Sequence, residues 1–253
     1  MRALPEFQRP LDVATEGGGV VVDPSDSSST NAGAPVYEGL PTYLGISQGH
    51  ILGGVLAALE PKIERYVLNV GGAAYTHMMM RAGPFKQYLA LYEISMPDPL
   101  DQQKVIATLS RGFDRFDPVA YASYVLREDL PFGPPSNREN KRLLLQIGIG
   151  DTQVPNFASW LHARLLDVPL LTPSPREPWG VTQTAGPVEG SALSIFDFGI
   201  DDSFDEVASP PTIGTPAHEG VRKAKEAQEQ MRTFLREGRI DAPCGEVPCV
   251  LEP

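Results

Sequence analysis

TYLGISQGHILGG, residues 42–54, joins two textures. TYLGI is a short apolar run of the kind that forms a buried strand. HILGGVLAALEP, residues 50–61, places Ile51, Leu52, Val55, Leu56 and Leu59 at helical spacing until Pro61 ends it. Between the two, Ser47 stands in a G-x-S-x-G pattern framed by Gly45 and Gly49. A strand that bends sharply into a helix can hold such a serine in a tight turn with its hydroxyl at the carboxyl edge of a sheet, and small neighbours relieve Cβ clashes in the bend. Glycine and serine are also favoured at any strand-to-helix turn. Context decides between a nucleophile and an ordinary turn serine.

Outward from this point, short apolar runs alternate with longer amphipathic segments. We read four strands: PTYLGI, residues 41–46; RYVLNVG, 65–71; KRLLLQIGIG, 141–150; and ALSIFDFGI, 192–200. Their apolar character is nearly continuous, which is expected of parallel strands covered on both faces. NFASWLHARLL, residues 156–166, is a helix by the same reasoning. AHEGVRKAKEAQEQMRTFLREG, 217–238, is another, with Val221, Ala224, Met231, Phe234 and Leu235 on one face. The fold class that follows is α/β, a mostly parallel sheet flanked by helices.

Residues 73–140 form a long insertion between the second and third strands. Helical pieces around MMMRAGPFKQYLALYE and DQQKVIATLSRGF are broken by MPDPL and by PFGPPSNREN. An excursion of that length is expected to pack over one end of the sheet as a helical cap. Residues 1–40, rich in Gly, Ser, Pro and acids, read as a flexible or irregular segment, 41–238 as the domain, and 239–253 as a tail with a cysteine pair.

The formal charge of −11, from 32 acids against 21 bases, opposes phosphate backbones and excludes nucleic acid as a partner. No run approaches the roughly 20 apolar residues of a membrane span, and no apolar segment follows Arg2 in the manner of a signal peptide. Both cysteines, Cys244 and Cys249, lie in APCGEVPC. The short spacing favours a disulfide over two free thiols; a metal site would need further cysteine or histidine close by, and none is expected. A disulfide implies an oxidising compartment.

A serine hydroxyl needs a base and a carboxylate that orients the base. Asp151 comes off the third strand in IGIGDTQVP, at the carboxyl edge where open parallel sheets place their working residues. His218 lies in TPAHEGVR, after the last strand and before the last helix. The order Ser47, Asp151, His218 is that of α/β-hydrolases. On GISQG, IGIGDTQVP and TPAHEGVR, residues 42 to 238 resemble the C-terminal half of an α/β-hydrolase, of the serine esterase or lipase kind.

The resemblance implies an acyl-enzyme mechanism without metal or organic cofactor. Ser47 would attack a small-molecule carboxylic ester, His218 would move its proton, Asp151 would hold the imidazole, and the backbone N–H of Gln48 would serve the oxyanion. His77 and Met78 are expected near a pocket. His50 and His162 read as packing residues, while Asp197, Asp201 and Asp202 are weaker alternatives to Asp151.

A full hydrolase sheet has several strands ahead of the serine turn, and only 44 residues precede Gly45. Gly17, Gly18 and Gly19 resemble an oxyanion loop in composition but lie too near Ser47 for the intervening strand and helix. The expectation is a piece of a longer, exported enzyme, or a short form whose sheet is completed by a dimer mate or another chain. Three other readings stay open: a peptidase or acyltransferase with the same three residues, an inactive remnant that uses its sheet edge for binding, and a lipid-binding domain built on Met78, Met79 and Met80.

Overall fold

A computed structural model describes residues 41–133, 135, 137–200 and 214–252. The expectations for residues 1–40, including Gly17 to Gly19, and for Asp201 and Asp202 lie outside it. The strands are β1 (Thr42–Ile46), β2 (Arg65–Asn69), β3 (Arg142–Gly148), β4 (Leu170–Thr172), β5 (Gln183–Ala185) and β6 (Ala192–Phe196). They form one sheet in the order β1-β2-β3-β6-β4-β5, and every pairing is parallel. The helices are α1 (Gln48–Leu59), α2 (Tyr75–Met79), α3 (Lys86–Ser95), α4 (Pro99–Phe113), α5 (Ser123–Leu126), α6 (Asn156–Leu166), α7 (Ala217–Lys223) and α8 (Lys225–Glu237). None among the described residues is long and apolar enough to cross a membrane.

Parallel neighbours need crossovers, and helices supply them: α1 links β1 to β2, and α6 lies between β3 and β4. Successive strand residues point to opposite faces, and both faces are covered. Tyr66, Leu68, Leu143, Leu145 and Ile147 pack with Ala57, Ala58, Ala163 and Leu166 on one side. Val67 and Leu144 pack with Met231 and Phe234 of α8 on the other. That two-sided burial is why LLLQIG has no polar alternation.

One polar row crosses this core. Asn69, Gln146 and Ser194 are register partners on β2, β3 and β6. Asn69 Nδ2 donates to Gln146 Oε1 at 2.9 Å, Gln146 Nε2 to Gln230 Oε1 at 2.8 Å, and Gln230 Nε2 to Ser194 Oγ at 2.8 Å. Sliding a strand by one residue would turn these groups to the wrong face and leave them buried without partners, so the row fixes the register.

Three elements differ from the sequence reading. Strands β4 and β5 were not expected, because three residues each, bounded by Pro173 and Pro187, give no readable period. The helix expected over 217–238 is two helices: Ala224 has φ −58° and ψ 128°, which ends α7 and starts α8 at one residue. Gln228 Nε2 caps the freed Arg222 carbonyl at 3.0 Å. The bend lets α7 lie tightly on Phe198, where a Cβ on Gly220 would come within 2.8 Å of the ring.

The third difference is in α1, where Ile51 and Val55 are buried as expected but share the core face with Gly53, Gly54, Ala57 and Ala58. Leu52 and Leu59 are 45% and 46% exposed. Gly53 lies against Tyr43 and Leu68, and Gly54 against His162, with no room for a Cβ at either. Lys141, itself buried, donates from Nζ to the Ala57 and Glu60 carbonyls and closes the carboxyl end of this helix.

Residues 73–140 carry α2 to α5. Tyr75, Phe113 and Phe116 stack together and fasten α2 to the end of α4. Helix α3 buries no residue. In the tail, Cys244 and Cys249 are disulfide-bonded. The Asp197 amide donates to the Cys249 carbonyl at 2.9 Å and the Leu251 amide to the Asp197 carbonyl at 2.7 Å, so the tail pairs with the chain just past β6.

Candidate active site

Ser47 follows β1 directly and is the N-cap of α1, with φ 57° and ψ −116°. A non-glycine residue in that region is strained by about 1–3 kcal/mol and persists only where its surroundings fix it. They do so here through the backbone. The Ser47 amide donates to the Asn69 carbonyl at 2.9 Å, and the Ser47 carbonyl accepts from the His50 amide at 2.9 Å.

Gly45 is required by packing, since a Cβ there would stand 2.3 Å from the Gly49 carbonyl oxygen. Gly49 is not required in the same sense: a Cβ on it would meet only the Tyr43 hydroxyl, at 3.9 Å. It is the Gly49 backbone that crowds Gly45, and the Tyr43 hydroxyl holds that carbonyl at 2.7 Å. The Gln48 amide lies in the first helical turn, where N–H groups have no intrahelical acceptor. The half-buried Ser47 side chain accepts no capping hydrogen bond from the amides of the first turn of α1.

Asp151 stands three residues beyond the end of β3, after Gly150 at φ 73°. Its Oδ1 accepts from the Gln153 amide at 2.8 Å and the Val154 amide at 2.9 Å, and its Oδ2 lies 2.7 Å from His218 Nδ1. Both side chains are 3% exposed. A carboxylate facing Nδ1 makes that nitrogen the donor, which in the neutral ring puts the lone pair on Nε2.

TPAHEGVR reads as the approach to the last helix, whose expected span of 217–238 includes His218. The structure puts it in the first turn of α7, which starts immediately after Pro216. Thr215 ties the two loops together: its Oγ1 donates to the Gly150 carbonyl, and its amide donates to Thr152 Oγ1 at 3.3 Å. Asn156 braces the carboxylate turn, accepting from the Gly150 amide and donating to the Gly148 carbonyl, each at 2.7 Å. No sequence signal marked Thr215, Asn156 or Tyr43.

His50 and His162 are both fully buried and bonded to each other, Nε2 to Nδ1, at 3.0 Å. Burial, and secondarily the neighbouring His162, holds the His50 pKa well below its ordinary value. Burial pushes that of His162 down to about 3. Both rings are therefore neutral at pH 7.

His77 is exposed on α2, whereas Met78 is buried with Ile51, Val154 and Ala158 between the serine turn and the Asp151 loop. Asp197 accepts from the Gly199 amide at 2.9 Å and anchors the tail. The Gly83 amide bonds the Thr152 carbonyl at 2.7 Å, bringing the 73–140 segment onto the Asp151 loop.

An open depression of about 570 Å³ is lined by Gly83, Pro84, Lys86, Gln87 and Ala90. A second, of about 500 Å³, has Phe198, Pro216, Glu219 and Gly220 in its wall. Neither is lined by Ser47, Asp151 or His218.

No protein-family model matches the sequence, and no curated protein matches it. Among solved structures the chain is similar to acetyl xylan esterase 1 from a Thermoanaerobacterium species, at 13% identity and a TM-score of 0.37. The similarity covers 64% of this chain and 41% of the esterase, so the chain spans less than half of that protein's length.

Proposed function

We propose that this chain is a serine hydrolase that cleaves carboxylic esters through an acyl-enzyme, with Ser47 as nucleophile, His218 as base and Asp151 as the group that orients it. The observation that carries the reading is the buried Asp151–His218 bond of 2.7 Å, formed off the carboxyl edge of the sheet whose β1 ends in the strained Ser47 turn. In the reaction His218 Nε2 takes the proton from Ser47 Oγ as Oγ bonds the ester carbonyl carbon. Negative charge collects on the carbonyl oxygen, where the Gln48 N–H and the positive end of α1 stabilise it. Collapse breaks the bond to the alcohol, which leaves with the proton from His218. Water then repeats the sequence and frees the acid.

Two features fit the same account. The bond from Gly83 to Thr152 and the packing of Met78 on Ile51 and Val154 support residues 73–140 as a cap on this edge of the sheet. The disulfide supports an exported setting. Turnover of p-nitrophenyl acetate and butyrate tests the proposal. Ser47→Ala is expected to keep its circular dichroism and lose on the order of 1,000-fold or more in kcat/KM; equal turnover by wild type and variant refutes it.

A further inference from the structure

The strained serine turn is closed by a ring of interactions that contains one side chain. The Ser47 amide donates to the Asn69 carbonyl, and the chain continues through Val70 to Gly71. The Gly71 amide donates to His50 Nδ1 at 3.0 Å, and the His50 amide returns to the Ser47 carbonyl at 2.9 Å. Every link but the imidazole is backbone. Nothing can be inserted into this ring: a Cβ on Gly71 would lie 2.4 Å from His50 Cβ and 2.8 Å from the Ser47 carbonyl oxygen. Ser159 Oγ holds Gly71 from the far side through its carbonyl at 2.7 Å.

The ring works with one form of His50 only. A backbone amide can donate to Nδ1 only if that nitrogen carries a lone pair, which places the proton on Nε2. That Nε2–H points at His162 Nδ1, 3.0 Å away, which must then be an acceptor as well. His162 carries its own proton on Nε2, where among the described residues no partner receives it. An unsatisfied buried donor at the end of the relay costs stability. It is tolerated at the one place that selects the tautomer of His50.

We propose that His50 is a positioning residue for Ser47: its Nδ1, kept unprotonated by the hydrogen bond from its Nε2–H to His162, clamps the end of β2 to the first turn of α1 and holds the strained serine turn. This deepens the hydrolase reading and depends on it for its catalytic consequence. Without the clamp, Gly71 and the start of α1 separate, Ser47 relaxes towards ordinary helical N-cap geometry, and its hydroxyl is lost from the position the hydrolase reading requires.

The test measures the rate at which a fluorophosphonate labels Ser47 in the whole chain. His50→Leu fills the site without an acceptor and is expected to label roughly 100-fold more slowly, the scale of loss for a small misplacement of a reacting group. His50→Asn sets Oδ1 where Nδ1 was and is expected to restore labelling to within a few-fold of wild type, a rescue that packing alone would not give. Wild-type labelling by the folded Leu variant, or a folded Asn variant as slow as the Leu variant, overturns the proposal.

Nitrogen-15 spectra of the imidazoles give a second readout that needs no variant to fold. His50 is expected to show an unprotonated Nδ1 and a protonated Nε2 at pH 7, and the Gly71 amide to be protected from exchange. A protonated Nδ1 on His50 overturns the clamp. If the wild-type chain does not label at all, the hydrolase reading fails, and the imidazole spectrum decides the clamp on its own.

Discussion

His162 gives the fold a dependence on acid whose size can be worked out. Its pKa is about 3 in the buried relay and about 6.5 in an unfolded chain. Across that interval the unfolded chain binds a proton that the folded chain does not, so stability is fully present above about pH 6.5 and falls as the pH drops towards 3. The slope is about 1.4 kcal/mol per pH unit. At pH 4.5, two units below the unfolded value, His162 alone removes about 3 kcal/mol, and His50 acts in the same direction.

For a domain of this size that loss is a fall of about 6–12 °C in Tm. The assay is denaturant unfolding at pH 7.5 and pH 4.5 for wild type and for His162→Gln, whose Oε1 can accept from His50 and does not titrate. Titrating groups distant from this pair contribute equally to both proteins and cancel in the comparison, whereas His50, held down in part by His162, adds to the difference in the same direction. The variant is expected to lose about 3 kcal/mol less than wild type between the two pH values. Parallel losses would refute the assignment of His162 as a buried neutral ring.

Gly45→Ala forces a Cβ into the Gly49 carbonyl and is expected to abolish labelling of Ser47 and destabilise the chain by about 3 kcal/mol, whereas Gly49→Ala, with space around it, keeps most of both; thermal melts with probe labelling distinguish them. Asp151→Asn is expected to leave the melt within a few degrees of wild type and lower ester turnover by roughly 1,000- to 10,000-fold, because the orientation and tautomer of His218 are lost. Cys244→Ser with Cys249→Ser opens a small loop and is expected to cost about 2 kcal/mol, or the entropy such a cross-link removes from the unfolded chain; an unchanged denaturant midpoint would count against it.

The strands that hold the candidate site were legible because each is a short, nearly unbroken apolar run bounded by turn residues. LLLQIG is the clearest case, and its one polar residue, Gln146, belongs to the row that fixes the register. Helix α6 was legible to the residue, with Pro155 before it and Asp167 in the left-handed region after it. What remained hidden had no local signal. The break at Ala224 involves neither glycine nor proline. The buried face of α1 joins Ile51 and Val55 to His50, Gly53, Gly54, Ala57 and Ala58, whereas Leu52 and Leu59, at the same helical spacing, face outwards.

The candidate site divides in the same way. Ser47 and Asp151 stand at strand ends, where turn chemistry marks them in the sequence, and His218 stands at a helix start after a proline. The groups that hold them in place are distant in sequence: His50 and His162 are 112 residues apart, and Thr215 reaches Gly150 across 65. Pairings of that kind are created by the fold and leave no pattern in the chain.

The proposed hydrolase activity requires Ser47 to be an activated nucleophile. Labelling the purified chain with a fluorophosphonate and mapping the modified residue by mass spectrometry tests it directly. Modification is expected at Ser47, to disappear in Ser47→Ala and to fall by orders of magnitude in His218→Ala. A folded chain that takes up no probe, or takes it up at another serine, contradicts it.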